Sequence, residues 1–177
     1  MESTLLALES KALKPRPHVF VQATDFPLGL LDHRQFELLA YHVLDAEKSE
    51  TTEYDHVALL NPGPDKGRDI LLYCGGIQVG LVQCKRVQRR VGITQLIGEA
   101  VKVALHLIRD PSLLPNPSGC RYEIWSAGGF TEEARAFLDD PTRRREFIAR
   151  DTSKLVSIIR AKYANSRARS KRSASQR

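Results

Sequence analysis

The stretch Asp69-Ile70-Leu71-Leu72-Tyr73-Cys74-Gly75-Gly76-Ile77-Gln78-Val79-Gly80-Leu81-Val82-Gln83-Cys84-Lys85 decides how this chain reads. It follows Asn61-Pro62-Gly63-Pro64-Asp65-Lys66-Gly67, a run of dense turn chemistry. Asp69 to Cys74 predicts a strand. Gly75-Gly76 predicts a hairpin turn, because the favoured two-residue turns need positive φ. Gly80 to Val87 predicts the returning strand. Side chains alternate along a strand, so Gln83 and Lys85 share a face and Cys84 points the other way. Paired through the two glycines, the hairpin brings Asp69 to its open end, close to Gln83 and Lys85.

Upstream, residues 1–24 read as an arm with a short helix at 2–13, punctuated by Pro15 and Pro17. Asp32 and Gln35 form a capping-box pattern. Phe36, Leu39, Ala40, Val43 and Leu44 then recur at helical spacing. Ser49 to Thr52 reads as a loop and His56 to Leu60 as a short strand. Downstream, a helix is predicted over Ile93 to Arg109. Its apolar face is Leu96, Ile97, Ala100, Val101, Ala104, Leu107 and Ile108, and its polar stripe is Gln95, Glu99, Lys102, His106 and Arg109. Pro111, Pro115 and Pro117 stop it. Arg121 to Ser126 predicts a strand and Gly128-Gly129 a turn. Thr131 caps a helix reaching Leu138, with Glu132 and Glu133 in its first turn. A last helix is predicted over Arg144 to Tyr163. The order α-β-β-β-α-β-α-α, with no internal repeat, predicts an α/β (α+β layered) fold with a central mixed β-sheet flanked by helices. The expected division is an arm (1–24), a folded domain (25–160) and a basic tail (161–177).

The chain has 177 residues, 42% apolar and 27% charged, which is ordinary globular usage with enough length to bury one core. No apolar run approaches the ~20 residues of a membrane span, so no membrane partner is expected. The first 14 residues lack a secretory pattern. Cys74, Cys84 and Cys120 have neither a disulfide-framework nor a zinc spacing, and read most simply as buried apolar residues in a reducing cytoplasm. The net charge of +6 is uneven. Arg160 to Arg177 holds seven basic and no acidic residues, leaving 20 basic against 21 acidic in 1–159. Such a tail cannot bury a core and is expected to be disordered. It reads equally as a phosphate-binding arm or a solvating end. Aromatics are 7% and not interleaved with the basic runs, which disfavours stacking-based single-strand binding.

An acid, an amide oxygen and an ammonium at one sheet edge suit a definite chemistry. Magnesium takes hard oxygen ligands and keeps several waters. Asp69 offers a charged oxygen, and the Gln83 side chain or the Cys84 backbone carbonyl a neutral one. Lys85 can orient a water or neutralise developing phosphorane charge. With Gln in place of a second acid, a further carboxylate is wanted, and Glu37 beside Phe36 on the first long helix is the best-placed one. Alone, Asp69 would read as a turn-capping aspartate, and the company of Gln83 and Lys85 favours the site. Gln83 also reads as a polar residue satisfied by nearby backbone, Lys85 as a strand-end lysine, and Glu37 as a helix-surface glutamate.

An ordered series resembles a known family. Gly67-Arg68-Asp69-Ile70, then Gln83-Cys84-Lys85-Arg86, an amphipathic helix, and Tyr122-Glu123-Ile124-Trp125-Ser126-Ala127-Gly128-Gly129-Phe130-Thr131 leading to Ala134 look like the Mrr-like branch of the PD-(D/E)xK nuclease superfamily. Phe36-Glu37-Leu38-Leu39 is similar to that branch's N-terminal helix, so the likeness covers about residues 32–140. The resemblance implies a restriction-endonuclease-like core and a metal-dependent DNA endonuclease using magnesium, or manganese, with Asp69, Gln83 and Lys85 at the catalytic edge. It puts the family's helix acid at Glu37. Gln83 departs from the superfamily's usual acid but is typical of this branch. The resemblance also implies restriction or anti-phage defence, often beside a sensor or recognition module that this chain does not display.

Lys85-Arg86-Val87-Gln88-Arg89-Arg90 reads as a phosphate clamp over a solvated loop edge. Arg68 and Gln95 join Arg86, Arg89 and Arg90 as expected nucleic-acid contacts, with duplex DNA as the expected partner. Arg143 to Arg145 reads as a solvated helix start, and Trp125 as core. His33 and Glu37 are an i, i+4 pair, thin support for a ligand set. The rival reading is a nuclease-like module that holds DNA, or stays inactive, until a partner or self-assembly activates it.

Overall fold

The computed structural model describes residues 3–12, 28–61, 67–153, 155–161 and 163–164. The expected prolines of the arm, part of the Pro/Gly turn before Gly67 and the tail from 165 lie outside them. The elements in chain order are α1 (Ser3–Ala12), α2 (His33–Glu47), β1 (His56–Leu59), β2 (Ile70–Cys74), β3 (Ile77–Lys85), α3 (Ile93–Arg109), β4 (Arg121–Ser126), α4 (Glu132–Asp139) and α5 (Pro141–Arg150). The fold is mixed α/β, and the chain forms two compact units. The first comprises Met1–Gln88 with Asn116–Gly128, and the second Arg89–Pro115 with Gly129–Arg177.

The first unit holds a four-stranded sheet in the order β1-β2-β3-β4. β1, β2 and β3 form an antiparallel meander, and β4 runs parallel to β3. Gly75 and Gly76 have φ of 56° and 79° and close a two-residue turn, which is why β3 starts at Ile77 rather than at Gly80 as the spacing predicts. Gly80 faces Leu72 across the hairpin. A Cβ there would lie 2.9 Å from Leu72 Cδ1, so the glycine lets that leucine pack over the neighbouring strand.

The core follows from strand alternation. Val57 and Leu59, Ile70 and Leu72, and Val82 and Cys84 are buried at every second position and meet Phe36, Leu38, Ala40 and Leu44 of α2. Full burial of such a side chain is worth about 1.5–3 kcal/mol relative to exposure. The capping box is present in both directions, with Asp32 accepting from the Gln35 N–H and Gln35 accepting from the Asp32 N–H. The buried stripe of α2 is rotated from the expected one. Val43 is exposed and Leu39 half-buried, while Leu38 and Glu37 are buried. Periodicity could not foresee this, because a carboxylate takes the place of an apolar residue on the inner face. Trp125 is half-buried against the core. Of the cysteines, Cys84 is buried whereas Cys74 and Cys120 are half-buried.

α1 is docked by polar contacts. Leu6 packs on the core, Ser10 Oγ lies 3.1 Å from His42 Nε2, and Glu9 grips Arg34 with both oxygens, at 2.6 and 3.0 Å. The Arg34 hydrogen bond holds the Glu9 carboxyl below its usual value of 4.5. A lowered carboxyl contributes stability above the unfolded pKa and loses it as pH falls through the folded one. Between about pH 5 and about pH 3, wild-type protein is therefore expected to lose more thermal stability than a Glu9→Gln variant, as read by melting curves at each pH.

In the second unit, α3 has the predicted span, but Ala104 and Ile108 are exposed and Ile93 and Val103 are buried. Val91 bridges Phe130 in parallel, with Val91 N–H donating to Gly129 C=O and Thr131 N–H to Val91 C=O. Thr131 caps α4 as expected. The last predicted helix begins at Pro141, three positions early. Asp140 caps it through the Thr142 and Arg143 N–H groups, and it is interrupted by a turn at Asp151 before helical residues resume at 152. An Asp-Pro pair is itself an N-terminal signal, because proline suits the first helical position. Arg144 is not merely solvated, since its guanidinium donates to the Phe137 and Leu138 carbonyls.

Candidate active site

The first unit brings two of the predicted residues onto one backbone step. Asp69 is 6% exposed. Its N–H donates to the Val82 C=O and its C=O accepts from the Leu60 N–H. Its carboxylate Oδ2 accepts from the Cys84 N–H at 2.5 Å, so Asp69 stands at the peptide between Gln83 and Lys85. In an extended strand, the N–H and C=O of one residue project to the same edge. The Cys84 carbonyl therefore faces the Asp69 edge, while the Lys85 carbonyl faces β4 and accepts from the Ala127 N–H.

Gln83 is 2% exposed. Its Oε1 accepts from the Tyr122 hydroxyl at 2.8 Å. In the parallel register Leu81 pairs with Tyr122, Gln83 with Ile124 and Lys85 with Ser126, so alternate residues of β3 and β4 share this face. Among the described residues, the buried Ser126 Oγ, opposite half-buried Lys85, has no hydrogen-bond partner. Tyr122 and Ser126 were not expected as neighbours of the site, since only the strand register reveals them.

Glu37 is 7% exposed in the middle of the buried face of α2. Both of its oxygens are engaged, Oε1 lying 2.7 Å from His33 Nδ1 and Oε2 accepting from Arg34 Nη1 at 2.8 Å. The same Arg34 nitrogen donates to the Leu60 carbonyl at 3.0 Å. Because the Leu60 N–H also donates to the Asp69 main-chain carbonyl, a short hydrogen-bonded path joins the Glu37 carboxylate to the backbone of Asp69. Arg34 was missed in the sequence, although its i, i+3 spacing to Glu37 is a legible signal.

Arg68 is half-buried beside Asp69. Arg86 fastens the backbone, with its Nε donating to the Leu31 C=O at 2.7 Å and its Nη2 to the Gly29 C=O at 2.9 Å. These bonds tie the segment before α2 to the end of β3. Arg89, Arg90 and Gln95 belong to the second unit and are exposed. That unit also contains an open groove of about 960 Å³ bounded by Thr94, Thr131, Arg143 and Arg150, with none of the predicted site residues on its wall.

Among the described residues, no three His, Cys, Asp or Glu side chains gather as a metal-binding group. A cation at Asp69 would depend on neutral oxygens as well, namely Gln83 Oε1 and the Cys84 carbonyl. Hard, uncharged oxygens beside one carboxylate fit a cation that keeps most of its waters, as magnesium and manganese do, better than zinc, which favours nitrogen and sulfur. No protein family, curated protein or solved structure matches the chain. Among the described residues, no helix is long and apolar enough to cross a membrane.

Proposed function

We propose that the protein is a metal-dependent DNA endonuclease of the Mrr-like PD-(D/E)xK kind, with a restriction-endonuclease-like core and a role in restriction or anti-phage defence. The observation that carries the reading is the bond from the Cys84 N–H to the Asp69 carboxylate, which joins the acid to the strand that bears Gln83 and Lys85. The meander with a parallel fourth strand supports the same reading.

Hydrolysis requires that a water oxygen add to phosphorus, that one P–O ester bond break, and that the departing oxygen gain a proton. A bound magnesium or manganese ion would act as Lewis acid and make its water a better nucleophile. Asp69, Gln83 Oε1 and the Cys84 carbonyl would hold it. Lys85 carries positive charge to the face where negative charge develops on the phosphoryl oxygens, and it orients the water. Glu37 would support that ion from α2. Arg68, Arg89 and Arg90 contact backbone phosphates of duplex DNA without reading its sequence, and their contribution weakens with salt.

Supercoiled and linear DNA incubated with the protein should be nicked or cut with magnesium or manganese and left whole with chelator. Metal-independent binding without cutting, at any enzyme concentration, would leave the rival reading of a DNA-holding module. Cutting that appears only on self-assembly or with a sensor or recognition protein would identify the partner-activated form.

A further inference from the structure

We infer that Arg34 is a positioning residue that sets Glu37 against Asp69, and that Glu9 of α1 fixes Arg34 in that role. The inference rests on the nuclease reading of the same site.

The Arg34 fork is divided. Its Nε and Nη2 edge is taken by the Glu9 carboxylate at 2.6 and 3.0 Å. Its remaining nitrogen, Nη1, bonds Glu37 Oε2 at 2.8 Å and the Leu60 carbonyl at 3.0 Å. Leu60 in turn donates to the Asp69 carbonyl at 2.9 Å. One planar group thus touches the helix that carries Glu37 and the segment against which Asp69 stands. A guanidinium presents its donors in a rigid plane, so gripping one edge fixes the direction of the other. The side chains involved are 19% exposed for Arg34 and 10% for Glu37, which limits screening.

Charge points the same way. Glu9, Arg34 and Glu37 together carry one net negative charge. Without Glu9, Arg34 would cancel Glu37 outright and could swing to hold it with two bonds, withdrawing it from a cation. α1 thereby becomes part of the site, although it is remote from Asp69 in the chain.

Two variants separate geometry from charge. Glu9→Asp keeps the charge but shortens the reach by one methylene, and Arg34→Lys keeps the charge but loses the fork. Binding of Mn²⁺ alone, read by electron paramagnetic resonance, is expected to weaken by about 10- to 100-fold in each, the range typical of outer-shell partners of metal ligands. Glu9→Gln should weaken it at least as much. Melting curves recorded beside each titration show whether the fold survives, and Glu9 lies far enough out for Glu9→Asp to keep it. Wild-type Mn²⁺ affinity in folded Glu9→Asp would overturn the inference. The Asp69→Asn variant keeps the two failures apart. If wild-type protein binds no Mn²⁺, or Asp69→Asn binds it equally well, the nuclease reading itself falls and this inference falls with it.

Discussion

Protein carrying Asp69→Asn or Lys85→Ala is expected to leave plasmid DNA whole under conditions in which wild-type protein nicks it, a loss of about 10²–10⁴-fold in rate. The two substitutions test different parts of the site. Asn at 69 retains an oxygen able to accept the Cys84 N–H that Asp69 now accepts, so the strand pairing survives while the charge is lost. Ala at 85 removes the cation at the end of β3, where the backbone carbonyl still receives the Ala127 N–H. Circular dichroism and melting should therefore match wild type for both. Asp69→Asn should also lose Mn²⁺ binding, whereas Lys85→Ala should keep it, because an ammonium repels the metal and acts on the phosphate and the water. Full cleavage by folded Lys85→Ala protein would remove the proposed mechanism, and unchanged metal binding by Asp69→Asn would remove the proposed metal site.

The sheet was the most legible part of the fold. A Gly-Gly pair permits the backbone of a two-residue turn and sets the pairing next to it, Cys74 with Ile77 and Tyr73 with Gln78, but the register then shifts by one residue between Leu72 and Tyr73. The turn puts Asp69 at the open end and strand alternation puts Gln83 and Lys85 on one face, but the one-residue shift that sets Ile70 opposite Val82 rather than Leu81 has no signal in the sequence. What the sequence hid was polar burial. Glu37 occupies the inner face of α2, and a pattern that seeks apolar periodicity shifts the stripe toward Leu39 and Val43 instead. The long-range partners of Arg34 and Tyr122 were hidden for a related reason, although the local i, i+3 spacing of Arg34 to Glu37 was legible. Each residue is defined by a partner far away in the chain, Glu9 and Leu60 for one and Gln83 for the other. Arg86 reads as a phosphate contact by composition but spends two donors on the Leu31 and Gly29 carbonyls. Charge counts cannot tell a solvated arginine from one that fastens a loop.

Glu37 offers the second large effect, because stability and activity should part company there. Glu37→Gln is expected to lower cleavage by about 10- to 100-fold while changing unfolding free energy by no more than about 1 kcal/mol. The amide oxygen can still accept from Arg34 Nη1, and its NH₂ can donate to His33 Nδ1 in the tautomer that leaves that nitrogen free. Arg34 is not stranded either, since Glu9 and the Leu60 carbonyl still hold it. A buried ion pair seldom outperforms a neutral arrangement that satisfies the same hydrogen bonds. The carboxylate charge is thus dispensable to the fold and needed only by a cation. Melting curves and nicking rates on the one variant decide between the two roles. If stability collapses and cutting persists, Glu37 is a structural counter-charge to Arg34, and any metal at Asp69 is left with a single carboxylate and the neutral oxygens of Gln83 and Cys84.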